Sequence, residues 1–138
     1  MTTMTRSAPL AETRHHAITT YVLVVLFWAL AAILVGTAHL RLDRASQWGG
    51  AATEIGAVIV VAFIYMRFVA RQPGVDHALL VGVIWLLLAI VGEIAVAGYV
   101  HHGWFALLGS PARPMLRNVF LFVWVFAPAL FARREAID

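Results

Sequence analysis

Four long apolar runs constrain this chain more than any other feature: about Ile18–Leu40, Gly49–Ala70, His77–Val100 and Pro114–Ala132. Crossing the hydrocarbon of a bilayer takes roughly 20 helical residues, so each run qualifies as a span. In lipid every backbone N–H and C=O needs a partner within the protein, which leaves only helices and closed barrels. The runs are continuous, without the polar alternation of a barrel strand, so they read as helices. Three short connections make successive helices alternate in direction. The expectation is an all-α integral membrane protein: one four-transmembrane-helix bundle with short loops over residues 18–132, between a polar segment at 1–17 and a short tail at 133–138.

Composition agrees. Hydrophobic residues make up 62% of the chain, against roughly 45–50% in soluble domains, and mean hydropathy is +0.87. Cysteine is absent, which removes disulfides, thiolate metal sites and cysteine nucleophiles. A pI near 10.2 would suggest nucleic acid in a soluble protein. Here the arginines gather at helix ends, where anionic headgroups supply the counter-charge, so no nucleic-acid partner is expected. All ten cationic residues are arginine. With abundant Ala, Val, Leu and Gly, that points to a GC-rich bacterial genome. The first run is too long for a cleavable signal peptide and reads as an anchor that stays in the protein.

Arginine placement sets the expected orientation. Arg6, Arg14, Arg67, Arg71, Arg133 and Arg134 fall on one side, and Arg41, Arg44, Arg113 and Arg117 on the other. Positive charge concentrates in the cytoplasm, so both termini are expected there, in the bacterial inner membrane. The turn Arg71–Asp76 contains Pro73-Gly74 as its breaker, with Asp76 placed to cap the third helix. The third loop is longer, and Trp104, Phe105, Leu107 and Leu108 suit a short interfacial segment covering the end of the helices.

With that topology His39, Glu54, Glu93, Arg117 and Asn118 converge on one leaflet. Glu93 is the most informative. An ionised carboxylate facing lipid costs several kcal/mol, so it must face the helical interior and be protonated or paired. Helical spacing places Gly82, Leu86, Ala89, Glu93, Ala97 and His101 on one stripe, an interhelical seam. Arg117 is the expected counter-charge, for Glu93 or for Glu54. Such a pair can fix helix register or serve a function, and both readings stand at this point. Glu54 can also cap its own helix or reach headgroups near Trp48 and Gln47, and Arg67 and Arg133 are expected to snorkel.

The remaining signals concern packing. Ala32-x-x-x-Gly36 and Ala52-x-x-x-Gly56 match the small-residue pattern of close helix pairs. Trp28, Trp85 and Trp124 fall inside their helices, where filling the core or touching lipid is the commoner role and lining a cavity the rarer one. Pro128 is expected to kink the fourth helix or end it early.

The chain has no glycine-rich phosphate loop, no His-Glu-x-x-His helix and no Gly-x-Ser-x-Gly elbow, so soluble-type enzyme chemistry has no carrier here. Three function classes are left. The first is an oligomeric ion or small-solute transporter or channel using Glu93, Arg117, Glu54 and Asn118, without a cofactor. The second is an accessory subunit of a larger membrane complex, for example a respiratory one. The third is a cofactor protein in which His39 and one of His101 or His102 ligate a b-type haem, or join Glu54 and Glu93 around a divalent metal. Haem ligands usually sit within the span, which sets this class behind the other two.

Ala78–Trp85, Gly92-Glu93, Gly103-Trp104, Arg117 and Pro128 together form a pattern. In it the second half of the chain resembles small bacterial four-helix inner-membrane proteins with an apolar Gly/Trp helix, an acidic residue, a Trp-bearing loop and an Arg-led last helix. The resemblance implies the topology and draws interest to Glu93 and Arg117. It implies no reaction. The His101-His102 pair and the prolines flanking Arg113 have no counterpart in that pattern.

Overall fold

A computed structural model describes residues 10–42, 47–71, 73–99 and 105–133. They fold into four α-helices: α1 (Leu10–Leu42), α2 (Gln47–Ile64), α3 (Val75–Tyr99) and α4 (Pro114–Phe126). Ile18–Leu42, Gly49–Val69 and Val75–Tyr99 are each long and apolar enough to cross a membrane, whereas α4 has 13 residues. The all-helical expectation holds, with three helices of spanning length. α1 begins two turns before its apolar run, because Leu10, Ala11, Glu12 and Arg14 are good helix formers that carry the helix outward.

Helix ends follow local chemistry. α2 widens into a π-helical turn at Tyr65–Val69, closed by Ala70 N–H on the Tyr65 carbonyl at 2.9 Å. Arg71 then takes a left-handed conformation, φ 55°, which stops the helix. The Gly74 carbonyl accepts the Ala78 N–H, so Gly74 holds the capping position of α3. Asp76 was expected there. It lies instead inside the first turn, exposed, where its charge complements the helix dipole. α4 stops at Phe126 rather than Ala132, as Pro128 withholds its donor, and the chain continues as a single 3₁₀ turn, Ala129–Phe131.

α1 packs on α2 and α3, and α4 on α3 and α2. The core runs through the middle of the assembly: Val24, Ala31 and Val35 from α1, Val58 and Ala62 from α2, Trp85 and Ala89 from α3, Trp124 from α4. Trp85 and Trp124 are fully buried and meet edge-on with centroids 6.3 Å apart, so they fill the core. α3 and α4 touch backbone to backbone at Gly82, where a Cβ would lie 2.7 Å from the Val125 carbonyl carbon. The Ala52/Gly56 pattern marks no contact: Ala52 is exposed and a Cβ at Gly56 would meet open space. Its neighbours Ala51 and Glu54 face inward instead.

The outward surface is apolar. Ile33, Val91, Ile94, Phe122 and Leu130 are each more than 60% exposed, and only 17% of the apolar window of α1 is buried. In water this much exposed apolar area would drive aggregation.

Candidate functional site

The site is assembled at the α3 C-terminal end. After the residues between α3 and Phe105, the chain forms a tight turn at Ala106–Leu108. This turn does not lie over the helix ends, as its interfacial character suggested. Ala106 and Leu107 are 0% and 2% exposed, so the turn is inserted among the helices. Gly109 makes the insertion possible: its φ is +77°, and a Cβ there would stand 3.2 Å from the Arg117 Cα.

A non-helical turn taken into an apolar interior must find partners for its peptide groups. The Leu107 N–H donates to Glu93 Oε2 at 3.0 Å, and the Leu107 carbonyl accepts from Trp124 Nε1 at 2.6 Å. One side chain from α3 and one from α4 thus satisfy both backbone groups of Leu107. The sequence signal for this was present, in an apolar stretch ending in Gly109 and Pro111, but nothing in it said that the turn enters.

Glu93 is 8% exposed and faces the interior, as expected. Its stripe on α3 holds at Gly82 and Ala89, but Leu86 is half-buried and Ala97 exposed, because the inward face drifts toward Ala78, Val81 and Trp85. Glu93 Oε1 is buried with no hydrogen-bond partner, and so is Trp28 Nε1. Trp28 packs close to this part of α3: a Cβ at Gly92 would stand 3.5 Å from the Trp28 ring and 3.2 Å from Leu107 Cδ1.

Glu54, 5% exposed, is held by His39: Nδ1 to Oε1 is 3.1 Å, the imidazole side chain being 27% exposed. This pair joins the C-terminal end of α1 to the start of α2. His39 is also within electrostatic range of Glu93. The expected pairing of Arg117 with either acid is not formed. Arg117 and Asn118 are exposed in the first turn of α4, and the acids are engaged by Leu107 and His39. Arg117 does share the end of the molecule with Glu93, since the 105–109 turn touches both. The shared end was foreseen and the partnership was not, because position along a helix follows from its rise while partnership depends on the rotation of each helix.

Among the described residues no three His, Asp or Glu side chains gather as a metal site. His101 and His102 lie outside the described residues, as do the side chains of Gln47 and Trp48. At the opposite end a polar pair appears that the sequence reading did not single out. His77 Nε2 and the Tyr65 hydroxyl are 3.4 Å apart, with the two rings near parallel.

Comparison with family models, with curated proteins and with solved structures finds no match for this chain.

Proposed function

We propose that the chain is a four-span protein of the bacterial inner membrane, with cytoplasmic termini, that moves a proton or small ion as a homo-oligomer. Glu93 is the binding carboxyl in this reading. One observation carries it: Glu93 Oε1 is buried without a hydrogen-bond partner. A carboxyl oxygen in such a place is costly unless a proton or cation occupies it. The His39–Glu54 pair, part-exposed on its histidine side, is the group proposed to exchange the ion with the surface. Arg117 and Asn118 stand at the mouth, setting the local potential rather than pairing with the acid. The fourth span consists of α4 and the 3₁₀ turn together. Arg133 N–H reaches the Pro73 carbonyl at 3.1 Å, so this segment ends beside the start of α3. The resemblance of residues 78–128 to small bacterial four-helix membrane proteins belongs to the same reading.

The test is flux in liposomes with a pH-reporting dye inside. Glu93→Gln keeps an oxygen for the Leu107 N–H and removes the titrating group, so flux falls to the empty-vesicle rate while the melting temperature holds. Wild-type flux in the variant would end the proposal.

A second reading, an accessory subunit of a larger complex, draws on a different observation. An entirely apolar groove of about 480 Å³ runs between α2 and α4, lined by Ile59, Val119, Phe122, Val123, Phe126 and Leu130 among others. A partner helix would fit it, and stoichiometric co-purification of larger chains in mild detergent would favour this reading over transport. The haem or metal reading is decided by an absorption spectrum and metal analysis of the purified protein; a Soret band would move the assignment to it.

A further inference from the structure

At the far end from Glu93, two cavities of about 220 and 180 Å³ share Thr20 and His77 as common walls. The larger also borders Tyr65 and Pro73, and its lining is close to half polar. The smaller runs along the α1–α3 seam between Val24 and Ile84, and its lining is mostly apolar. Together they make one groove, polar at the helix ends and greasy toward the middle of the molecule. Its polar part holds no acidic side chain: the groups are a hydroxyl, a phenol and an imidazole, each able to donate a hydrogen bond.

Among the described residues the nearby charges are mainly positive. Arg71 follows directly on Ala70 in the cavity wall, and Arg133 is tied by its N–H to the carbonyl of Pro73, another wall residue. Arg67, one turn earlier, adds a third exposed guanidinium, and among the described residues near this end the exposed carboxylate is Asp76. The first turn of α3 begins beside Pro73 and contributes the positive end of its dipole.

We infer that this groove binds the phosphate of an anionic phospholipid, with the headgroup against Thr20, Tyr65 and His77 and an acyl chain along the α1–α3 seam. A phosphate diester is an acceptor-only anion and can take a donor from the Tyr65–His77 pair, with arginines close by in sequence. An acyl chain matches the accessible apolar lining of Tyr21, Leu80 and Ile84. The inference rests on the membrane residence argued above but not on transport, since Glu93 lies at the other end of α3.

Native mass spectrometry of the delipidated full chain, titrated with phosphatidylglycerol or phosphatidylcholine, tests it. One phosphatidylglycerol is expected to remain bound per chain at concentrations where phosphatidylcholine leaves it empty. Tyr65→Phe with His77→Leu should weaken retention about tenfold, equivalent to about 1.4 kcal/mol. Arg71→Gly, which suits the left-handed backbone there, should weaken it by a smaller factor and guards against a folding defect in the double variant. Glu93→Gln should retain lipid like wild type, and carbonate-resistant membrane association of every variant confirms residence separately. Equal retention of both lipids, or retention unchanged in both Tyr65→Phe/His77→Leu and Arg71→Gly, overturns the site. Displacement of the lipid by millimolar inorganic phosphate would also overturn it, as the acyl chain would then contribute nothing.

Discussion

Gly82→Ala is the most direct probe of how α3 and α4 meet. The added Cβ would overlap the Val125 carbonyl oxygen and stand 2.7 Å from its carbon and 3.1 Å from its Cα, against 3.4–4 Å for ordinary contact. All three atoms are backbone, so no side chain can swing away and α4 as a whole must retreat. That retreat loosens the contact between the Trp85 and Trp124 rings and lengthens the Trp124–Leu107 hydrogen bond. Overpacking of a well-filled interior typically costs about 1–3 kcal/mol, and the strained hydrogen bond adds about 1 kcal/mol. Replacing a mid-helix glycine by alanine returns about 1 kcal/mol through propensity, leaving a net loss of about 1–3 kcal/mol. Gly56→Ala is the control, because open space surrounds its Cβ and only the propensity gain applies. Thermal unfolding in detergent, followed by tryptophan fluorescence and by the monodisperse fraction after heating, should rank Gly56→Ala at or above wild type and Gly82→Ala clearly below. If both variants melt together, the close α3–α4 approach is wrong, and so is the depth of the 105–109 turn that relies on it.

Three other outcomes follow from the polar contacts. Trp124→Phe keeps the ring in place but strands the buried Leu107 carbonyl, which should cost about 1–3 kcal/mol in the same melting assay. Glu93→Ala strands the Leu107 N–H and should lose a similar amount, whereas Glu93→Gln should hold its stability; equal losses would mean that the Glu93–Leu107 bond is not formed. His39→Ala leaves Glu54 buried without its partner and should destabilise the α1–α2 junction by about 1–3 kcal/mol, with Glu54→Gln in the same background recovering part of the loss.

What could be read from the sequence was set by length and by period. Apolar runs of spanning length announce three of the helices, and Pro128 announces where the fourth stops, since a missing donor acts locally. The inward direction of Glu93 was legible as well, because a carboxyl has nowhere else to go in such a segment. Pairings were not. Whether Glu54 meets His39 or Arg117 depends on a few tens of degrees of helix rotation, and apolar faces as uniform as these carry no amphipathic stripe to set it. The 105–109 turn was misplaced for a related reason: its apolar side chains suit an interface and an interior equally, and only the partners of Leu107 decide between them. Tyr65 and His77 went unremarked because each is ordinary at a helix end, and they become a pair only once the start of α3 is brought beside the π-helical turn that ends α2.

Leu107 has a bearing on how the chain is made. Its two backbone partners stand 14 residues before it and 17 residues after it. Until Trp124 has been made, burying the turn would leave the Leu107 carbonyl without that donor, at a cost of about 1–3 kcal/mol. Closure of the second half of the chain is therefore favoured only once its last helix is in place.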